Sequence, residues 1–410
     1  MNMTPRKSIF WLLIYCIFVF LYGCKTSNEG VDSQPYLIVL SMDGFRWDYA
    51  DKAKTPNLDK LLQNGVKAER MIPSFPTKTF PNHYTMATGL YPDHTGIVNN
   101  SFYDPEDQRY YTVRDRDAVG DGTFYGGEPI WNTAEKQDLK AATLFWVGSE
   151  ADVQEIRPSI WKPYQHDMPY GDRIDTVISW LQKPAESRPH LIMWYFDEPD
   201  GIGHGFGPDS PEMVQTIQNL DSLLGVFMDK LEQVPIHEKV NFVLTSDHGM
   251  GNISQEKSVM LVDFIDTTWI AKIQGGNPIW NILAKDGYDD EIEQALTGVQ
   301  GISAWRSNEV PERLHYGSSP RTLDFTVAAD SAWSVFYNQM GNYFGGTHGY
   351  DNANPDMHTI FYATGPAFKS DGKAYAAFPN VSLYPLMCEI LGLSPAPNDG
   401  KLEDMKIVLK

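Results

Sequence analysis

Three apolar runs in this chain stop abruptly at acidic residues. One runs through Tyr36–Leu40 into Ser-Met-Asp43-Gly. A second, Leu191–Phe196, meets Asp197-Glu-Pro-Asp200, and a third, Val240–Leu244, meets Thr-Ser-Asp247-His248-Gly. Uninterrupted apolar runs of this length read as strands buried on both faces, the pattern of a parallel sheet covered by helices. A strand interior cannot hold a charge cheaply, whereas its end can aim one into a crevice. In open α/β sheets ligands bind at the carboxyl ends of the strands. The pattern therefore predicts several carboxylates meeting at one edge of the sheet.

Further apolar runs at Ala141–Val147 and Thr359–Ala363 read as strands, and helical patterns fall between them. Thr55-Pro56 opens one helix, with Leu58, Leu61 and Leu62 on one face and Gly65 as a stop. Ser210-Pro211 opens a longer one whose apolar residues, from Met213 to Leu231, keep helical spacing. The fold class is thus α/β, a mostly parallel central sheet with helices on both faces. Residues 258–345 break the rhythm with Trp, Gly, Pro and short strand-like pieces such as Ser331–Tyr337. That stretch reads as a small inserted α+β lobe, leaving 35–257 and 346–410 as the core.

The formal charge is −20, which repels phosphate backbones and argues against binding nucleic-acid polymers. Carboxylates gathered in one crevice repel one another and call for cations. Histidines stand beside them: His248 follows Asp247, His204 lies in PDGIGHGFGP after Asp200, and His348 lies in GGTHGYDN. Imidazole with carboxylate suits Zn²⁺ or a similar transition ion. The segment around His204 is rich enough in Gly and Pro to predict a loop rather than a helix. His83, His94 and His358 lie in apolar or turn contexts and read as structural, as do His166, His190, His237 and His315.

Thr79 precedes Phe80-Pro81, which suits a helix start with Thr79 at or near the cap. A hydroxyl at a helix N-terminus and next to a metal is suited to attack phosphorus. The same residue also reads as a plain capping threonine, and Thr77 lies two positions away.

Residues 1–24 begin with basic Arg6 and Lys7 and continue with an apolar stretch, Ile9 to Tyr22, too short for a comfortable membrane span. The ending Leu21-Tyr22-Gly23-Cys24 resembles the lipobox of bacterial lipoproteins. The expectation is a signal over 1–23, a lipid on Cys24, a tether over 24–34, and a protein exported and anchored in the bacterial cell envelope on its periplasmic or surface face. Cys388, in an apolar stretch, reads as a buried free thiol.

Together SMDGFRWDY, PTKTFPNHYTMATGLYPDHTGIVNN, FWVGSEA, EPDGIGHGFGP, TSDHGM and GTHGYDN resemble the nucleotide pyrophosphatase/phosphodiesterase family of the alkaline phosphatase superfamily. The pieces run in the family's order through most of the chain. The resemblance implies an alkaline phosphatase-like α/β core with an inserted lobe and two zinc ions, other divalent transition metals also being possible. By motif position Asp200, His204 and His348 would hold one ion. Asp43, Asp247 and His248 would hold the other, with the Thr79 hydroxyl as a further ligand. Thr79 would be the nucleophile, passing through a phospho-threonine, and Asn100 would donate a hydrogen bond to a phosphate oxygen. Phe80 and Tyr164 would sandwich a nucleobase. The implied partner is a small nucleotide or phosphodiester, and membrane contact would run through the N-terminal lipid only.

The alternatives are sibling enzymes (a phosphomonoesterase, a phosphonoacetate-type hydrolase, a choline-lipid phosphodiesterase) or a non-catalytic lipoprotein that binds metal or nucleotides. Monoester cleavage usually takes an arginine fork beside the metals. No arginine occurs between Met71 and Gln108, although Arg46 or a residue of the lobe remains a candidate to reach the site.

Overall fold

The computed structural model describes residues 34–339, 341 and 344–410. The expected signal segment, Cys24 and residues 24–33 of the tether lie outside them. The strand Tyr36–Met42 is buried along its whole length, as its apolar run requires. It pairs in parallel with Leu191–Phe196 on one side and Val240–Thr245 on the other, with Leu40 opposite both Trp194 and Leu244. Ala141–Leu144 and then Ile160–Lys162 continue the sheet beyond Leu191–Phe196, also in parallel. On the other flank Phe361–Thr364 runs antiparallel to Val240–Thr245. Gly65–Ala68 and Ala374–Tyr375 follow it and complete eight strands. The sheet is therefore mostly parallel, with one reversed strand where the sequence reading placed Thr359–Ala363.

Side chains of the central strand alternate between two cores. Leu37 and Val39 pack with the helices Thr79–Thr88, Ile130–Lys136 and Leu383–Leu391. Ile38, Leu40 and Met42 pack with Pro56–Gln63, Tyr170–Leu181 and Pro211–Glu232. The last of these is capped by Ser210, whose Oγ accepts from the Met213 amide at 3.1 Å. It buries Met213, Ile217, Leu220, Leu224, Phe227 and Leu231 at helical spacing. It also buries Asp221, whose carboxylate accepts the Leu58 and Asn57 amides at 2.8 and 3.1 Å. One helix thus caps the next, since Thr55 makes no side-chain cap of its own.

Within the stretch 258–345 four antiparallel strands form a separate sheet in the order 270–276, 279–284, 325–329, 302–306. Asp289–Leu296 is its helix, and Ile282, Ile292, Phe325 and Val327 are among its buried residues. The expected strand at 331–337 is the shorter Ser334–Phe336, paired in parallel with Ser258–Met260. The turn after the strand Ile270–Gly276 reaches back to the helix Thr79–Thr88: the Asn277 carbonyl accepts from Lys78 Nζ, just ahead of that helix, at 2.8 Å.

Candidate metal centre and active site

Asp43 follows the central strand and Asp247 lies just past Val240–Thr245. Gly44 turns the chain at φ +71°, and a Cβ there would stand 3.0 Å from the Asp200 backbone, so only glycine lets these two segments close. The contact is tied by Asp200 N–H donating to the Asp43 carbonyl at 3.0 Å.

Asp200 and His204 correct the sequence reading. They lie four residues apart on a helix, Asp200–Phe206, not on a loop. Glu198 Oε2 takes the Ile202 amide of its first turn at 3.1 Å. Gly203 lets the helix press on Met250 and Met213, where a Cβ would come within 2.8 Å of Met250 Cε. Tertiary packing overrides the low helix propensity of glycine, and Gly207 ends the helix at φ +92°. The i, i+4 spacing brings His204 Nε2 to 3.4 Å from Asp200 Oδ1.

His348 arrives on the short strand Gly346–Thr347, which pairs with Gly251–Asn252 beyond His248. That ladder stacks the two imidazoles, with centroids 3.4 Å apart and 10° between planes. His348 Nε2 is 3.6 Å from Asp200 Oδ1. His248 Nε2 is 3.2 Å from Asp43 Oδ1, 3.1 Å from Asp247 Oδ2 and 3.1 Å from the Thr79 hydroxyl. All seven residues expected around the two metals therefore converge. Asp200, His204 and His348 form one group, Asp43 and Asp200 with His248 an adjoining one, and Asp43 and Asp247 with His83 a third.

The three imidazoles share one arrangement. His204, His248 and His348 each donate Nδ1–H to a backbone carbonyl, of Gly346, Gly249 and Thr77, at 3.0, 2.9 and 2.9 Å. Each Nε2 lone pair is left to face the carboxylates, the outer-shell pattern that orients metal-ligating histidines. The carboxylates are likewise divided. Asp43 Oδ2 accepts from the Tyr195 hydroxyl at 2.6 Å, and Asp247 Oδ1 from the Gly44 amide at 3.2 Å. Asp43 Oδ1, Asp247 Oδ2 and Asp200 Oδ1 are buried with no donor at all. Three donorless carboxylate oxygens beside three imidazole lone pairs fit divalent cations and little else.

The electrostatics agree. Burial, reinforced by Asp247 and Asp200, pushes the Asp43 carboxyl well above its ordinary range. Burial acts upward on Asp247 too, but facing His248 and His83 bring it down to about 2. Burial and the neighbours His248, Lys78 and His204 hold His348 well below the usual imidazole value, in its neutral, ligating form.

Thr79 is the first residue of the helix Thr79–Thr88, with Lys78 in the cap position. Its hydroxyl makes no capping bond and meets His248 instead. Asn100 Oδ1 accepts the Phe80 amide at 3.0 Å. Phe80 is half-buried, edge-on to Tyr111 at 6.3 Å. Tyr164, also half-buried, lies edge-on to Phe145 at 5.4 Å and Tyr195 at 6.3 Å; Phe80 and Tyr164 are not in ring contact with each other. Arg46 is held by Asp48, Asp209, Asp356 and the Met250 carbonyl. The lobe arginines are committed too, Arg306 to Glu293, Arg313 to Asp351 and Arg321 to Asp104.

The sequence reading set His83 among the structural histidines and Tyr195 inside an apolar strand, and both touch the centre. His83 is fully buried, 3.3 Å from Asp247 Oδ2, with Nδ1 donating to the Thr79 carbonyl at 3.0 Å and Nε2 against the Ser41 hydroxyl at 2.9 Å. Both nitrogens are engaged, so it braces the centre rather than ligating it. Its position four residues after Thr79, on the same helix face, is the signal that marks it.

Comparison with known proteins identifies the family. Residues 37–351 match the family described as type I phosphodiesterase / nucleotide pyrophosphatase. A venom phosphodiesterase of Naja atra is 36% identical, over 99% of this chain and 49% of its own length. Ectonucleotide pyrophosphatase/phosphodiesterase family member 5 of Homo sapiens is 33% identical, over 97% of this chain and 83% of its own. The chain thus spans about half the length of the venom relatives it matches. The solved structure of murine ectonucleotide pyrophosphatase/phosphodiesterase 5 superposes with a TM-score of 0.88 at 33% identity, covering 92% of this chain and 100% of that one. An inactive threonine-to-alanine form of that murine protein, in complex with AMP, superposes equally well. The family match, the identities and the shared fold agree, and the chain belongs to the type I phosphodiesterase / nucleotide pyrophosphatase family.

Proposed function

We propose that the protein hydrolyses phosphodiester or pyrophosphate bonds of nucleotides and releases nucleoside 5′-monophosphates. The observation that carries this is the set of donorless oxygens on Asp43, Asp200 and Asp247 facing three imidazole Nε2 atoms beside the Thr79 hydroxyl. The donor set favours zinc. Asp200, His204 and His348 would hold one ion, and Asp43, Asp247, His248 and Thr79 the other. The ions would supply Lewis acidity at the attacking and leaving oxygens.

Thr79 Oγ attacks phosphorus, and its proton passes through solvent to the departing oxygen. The bond to the leaving oxygen breaks, and the nucleoside monophosphoryl group rests on Thr79. Water then attacks phosphorus from the vacated side, giving one proton to Thr79 Oγ as that bond breaks and keeping the other on the released monophosphate. Two in-line steps retain configuration at phosphorus. Asn100 serves as the oxyanion donor: its Oδ1 is pinned by the Phe80 amide, so its N–H₂ is the edge left for substrate. Phe80 and Tyr164 offer faces on which a base stacks. AMP in the murine relative supports a nucleotide product.

A diester is favoured over a monoester because Arg46 and the lobe arginines have partners elsewhere. The end of the signal segment, with Cys24, supports an exported, lipid-anchored protein. The test is kcat/KM for bis-(p-nitrophenyl) phosphate against p-nitrophenyl phosphate on one preparation, with metal analysis before and after chelation. Expected are about two zinc ions per chain, preference for the diester, and loss on chelation that Zn²⁺ restores. Preference for the monoester, or full activity in metal-free protein, would sink the proposal.

A further inference from the structure

Tyr195 lies at the end of the strand Leu191–Phe196, opposite Ser41 of the central strand. Its phenol donates to Asp43 Oδ2 at 2.6 Å, the shortest of the contacts described around these carboxylates. The tether leaves Asp43 Oδ1 as the free oxygen, 3.2 Å from His248 Nε2. The backbone carrying Tyr195 is itself fixed. Arg173, wholly buried, donates to the Tyr195 carbonyl at 3.0 Å, to the Met168 and His166 carbonyls at 3.0 and 3.1 Å, and pairs with Asp197 at 2.8 Å. The ring stands edge-on to His83 at 5.3 Å and to Tyr164 at 6.3 Å. Tyr195 thus touches Asp43, the brace of Asp247, and the aromatic wall proposed for the base.

We infer that Tyr195 is a positioning residue for one ion only, fixing Asp43 as a one-oxygen ligand of the site shared with Asp247, His248 and Thr79. This rests on the metal-site reading above. A carboxylate tethered through one oxygen has lost its rotation before the ion arrives, so binding need not restrain it. Without the hydroxyl, Asp43 Oδ2 is buried with no donor, and the carboxylate can turn away or grip with both oxygens. Outer-shell partners of metal ligands are typically worth about 10–100-fold in affinity. Asp200, His204 and His348 have no contact with the phenol, so the other site keeps its affinity.

The test is Tyr195→Phe, which deletes the oxygen and keeps the ring against His83 and Tyr164. Zn²⁺ affinities are measured by competition with a chromogenic chelator, beside the thermal midpoint in excess chelator. One site is expected to weaken by about 10-fold or more, with the other unchanged and the chelator-treated midpoint matching the parent. At saturating Zn²⁺, kcat should fall while KM for a small diester holds. Parent-like affinity at both sites overturns the inference, as does a lowered midpoint without a change in zinc binding. An Asp43→Ala variant run alongside separates the two claims: if it too binds zinc like the parent, the metal-site reading fails, not the role of Tyr195 alone.

Discussion

The Thr79 hydroxyl lies 3.1 Å from Nε2 of His248, whose other nitrogen is fixed on the Gly249 carbonyl, so Thr79 is the donor of that bond. Thr77 is differently committed. Its hydroxyl donates to the Tyr350 carbonyl at 3.0 Å and accepts the Gly349 amide at 2.9 Å. Thr79→Ala should therefore lower kcat by about 10³-fold or more, as removal of a nucleophile does, with zinc content retained. Thr77→Ala should cost about 1–3 kcal/mol of stability through the stranded Gly349 amide, and keep turnover within about tenfold. Steady-state kinetics and urea unfolding on both variants check this; the reverse pattern would move the nucleophile to Thr77.

Asn100→Asp keeps an oxygen for the Phe80 amide but replaces the donor proposed to meet substrate with a negative acceptor. Loss of one oxyanion donor is worth about 10²–10³ in kcat, and the added charge makes this a lower bound. If kcat/KM for a diester stays within a few-fold of the parent, Asn100 is only a brace for Phe80.

Replacing Phe80 or Tyr164 by Ala should weaken nucleotide substrates by about 1–3 kcal/mol per lost stack, and p-nitrophenyl esters of small alkyl phosphates much less. The comparison is kcat/KM for ATP against such an ester. Equal losses on both would return the two rings to packing against Tyr111 and Phe145.

Asp221→Ala removes the acceptor for the Asn57 and Leu58 amides at the start of Pro56–Gln63. The expected loss is about 2 kcal/mol, that of a helix cap with a buried acceptor, read by urea unfolding of the zinc-loaded protein. Zinc content and kcat should not change, because this cap belongs to the helix layer around Leu58 and Leu61 rather than to the metal centre.

The strand ends were legible because buried parallel strands are uniformly apolar, so Asp43 and Asp247 stood out where the runs stopped. The helix at Asp200 was hidden, since its glycines count against a helix until Met250 and Met213 are seen packing on Gly203. The cap from Asp221 was hidden for a related reason: it sits in the middle of an amphipathic helix, and only the fold shows that a neighbouring helix begins there. Tyr195 read simply as one more apolar position of a strand, because the hydroxyl's partner lies on the adjacent strand's end.

The reversed strand Phe361–Thr364 sits between Val240–Thr245 and Gly65–Ala68. An early segment of the chain therefore has no place in the sheet until a late one has been synthesised. Pairing across so much sequence is slow and leaves the edge of Val240–Thr245 open in the meantime. His348 lies just ahead of that closing strand, so the group Asp200, His204 and His348 is complete only when the late part of the chain has been made. A chain that ends ahead of His348 has both an open sheet edge and a candidate metal centre short of one histidine.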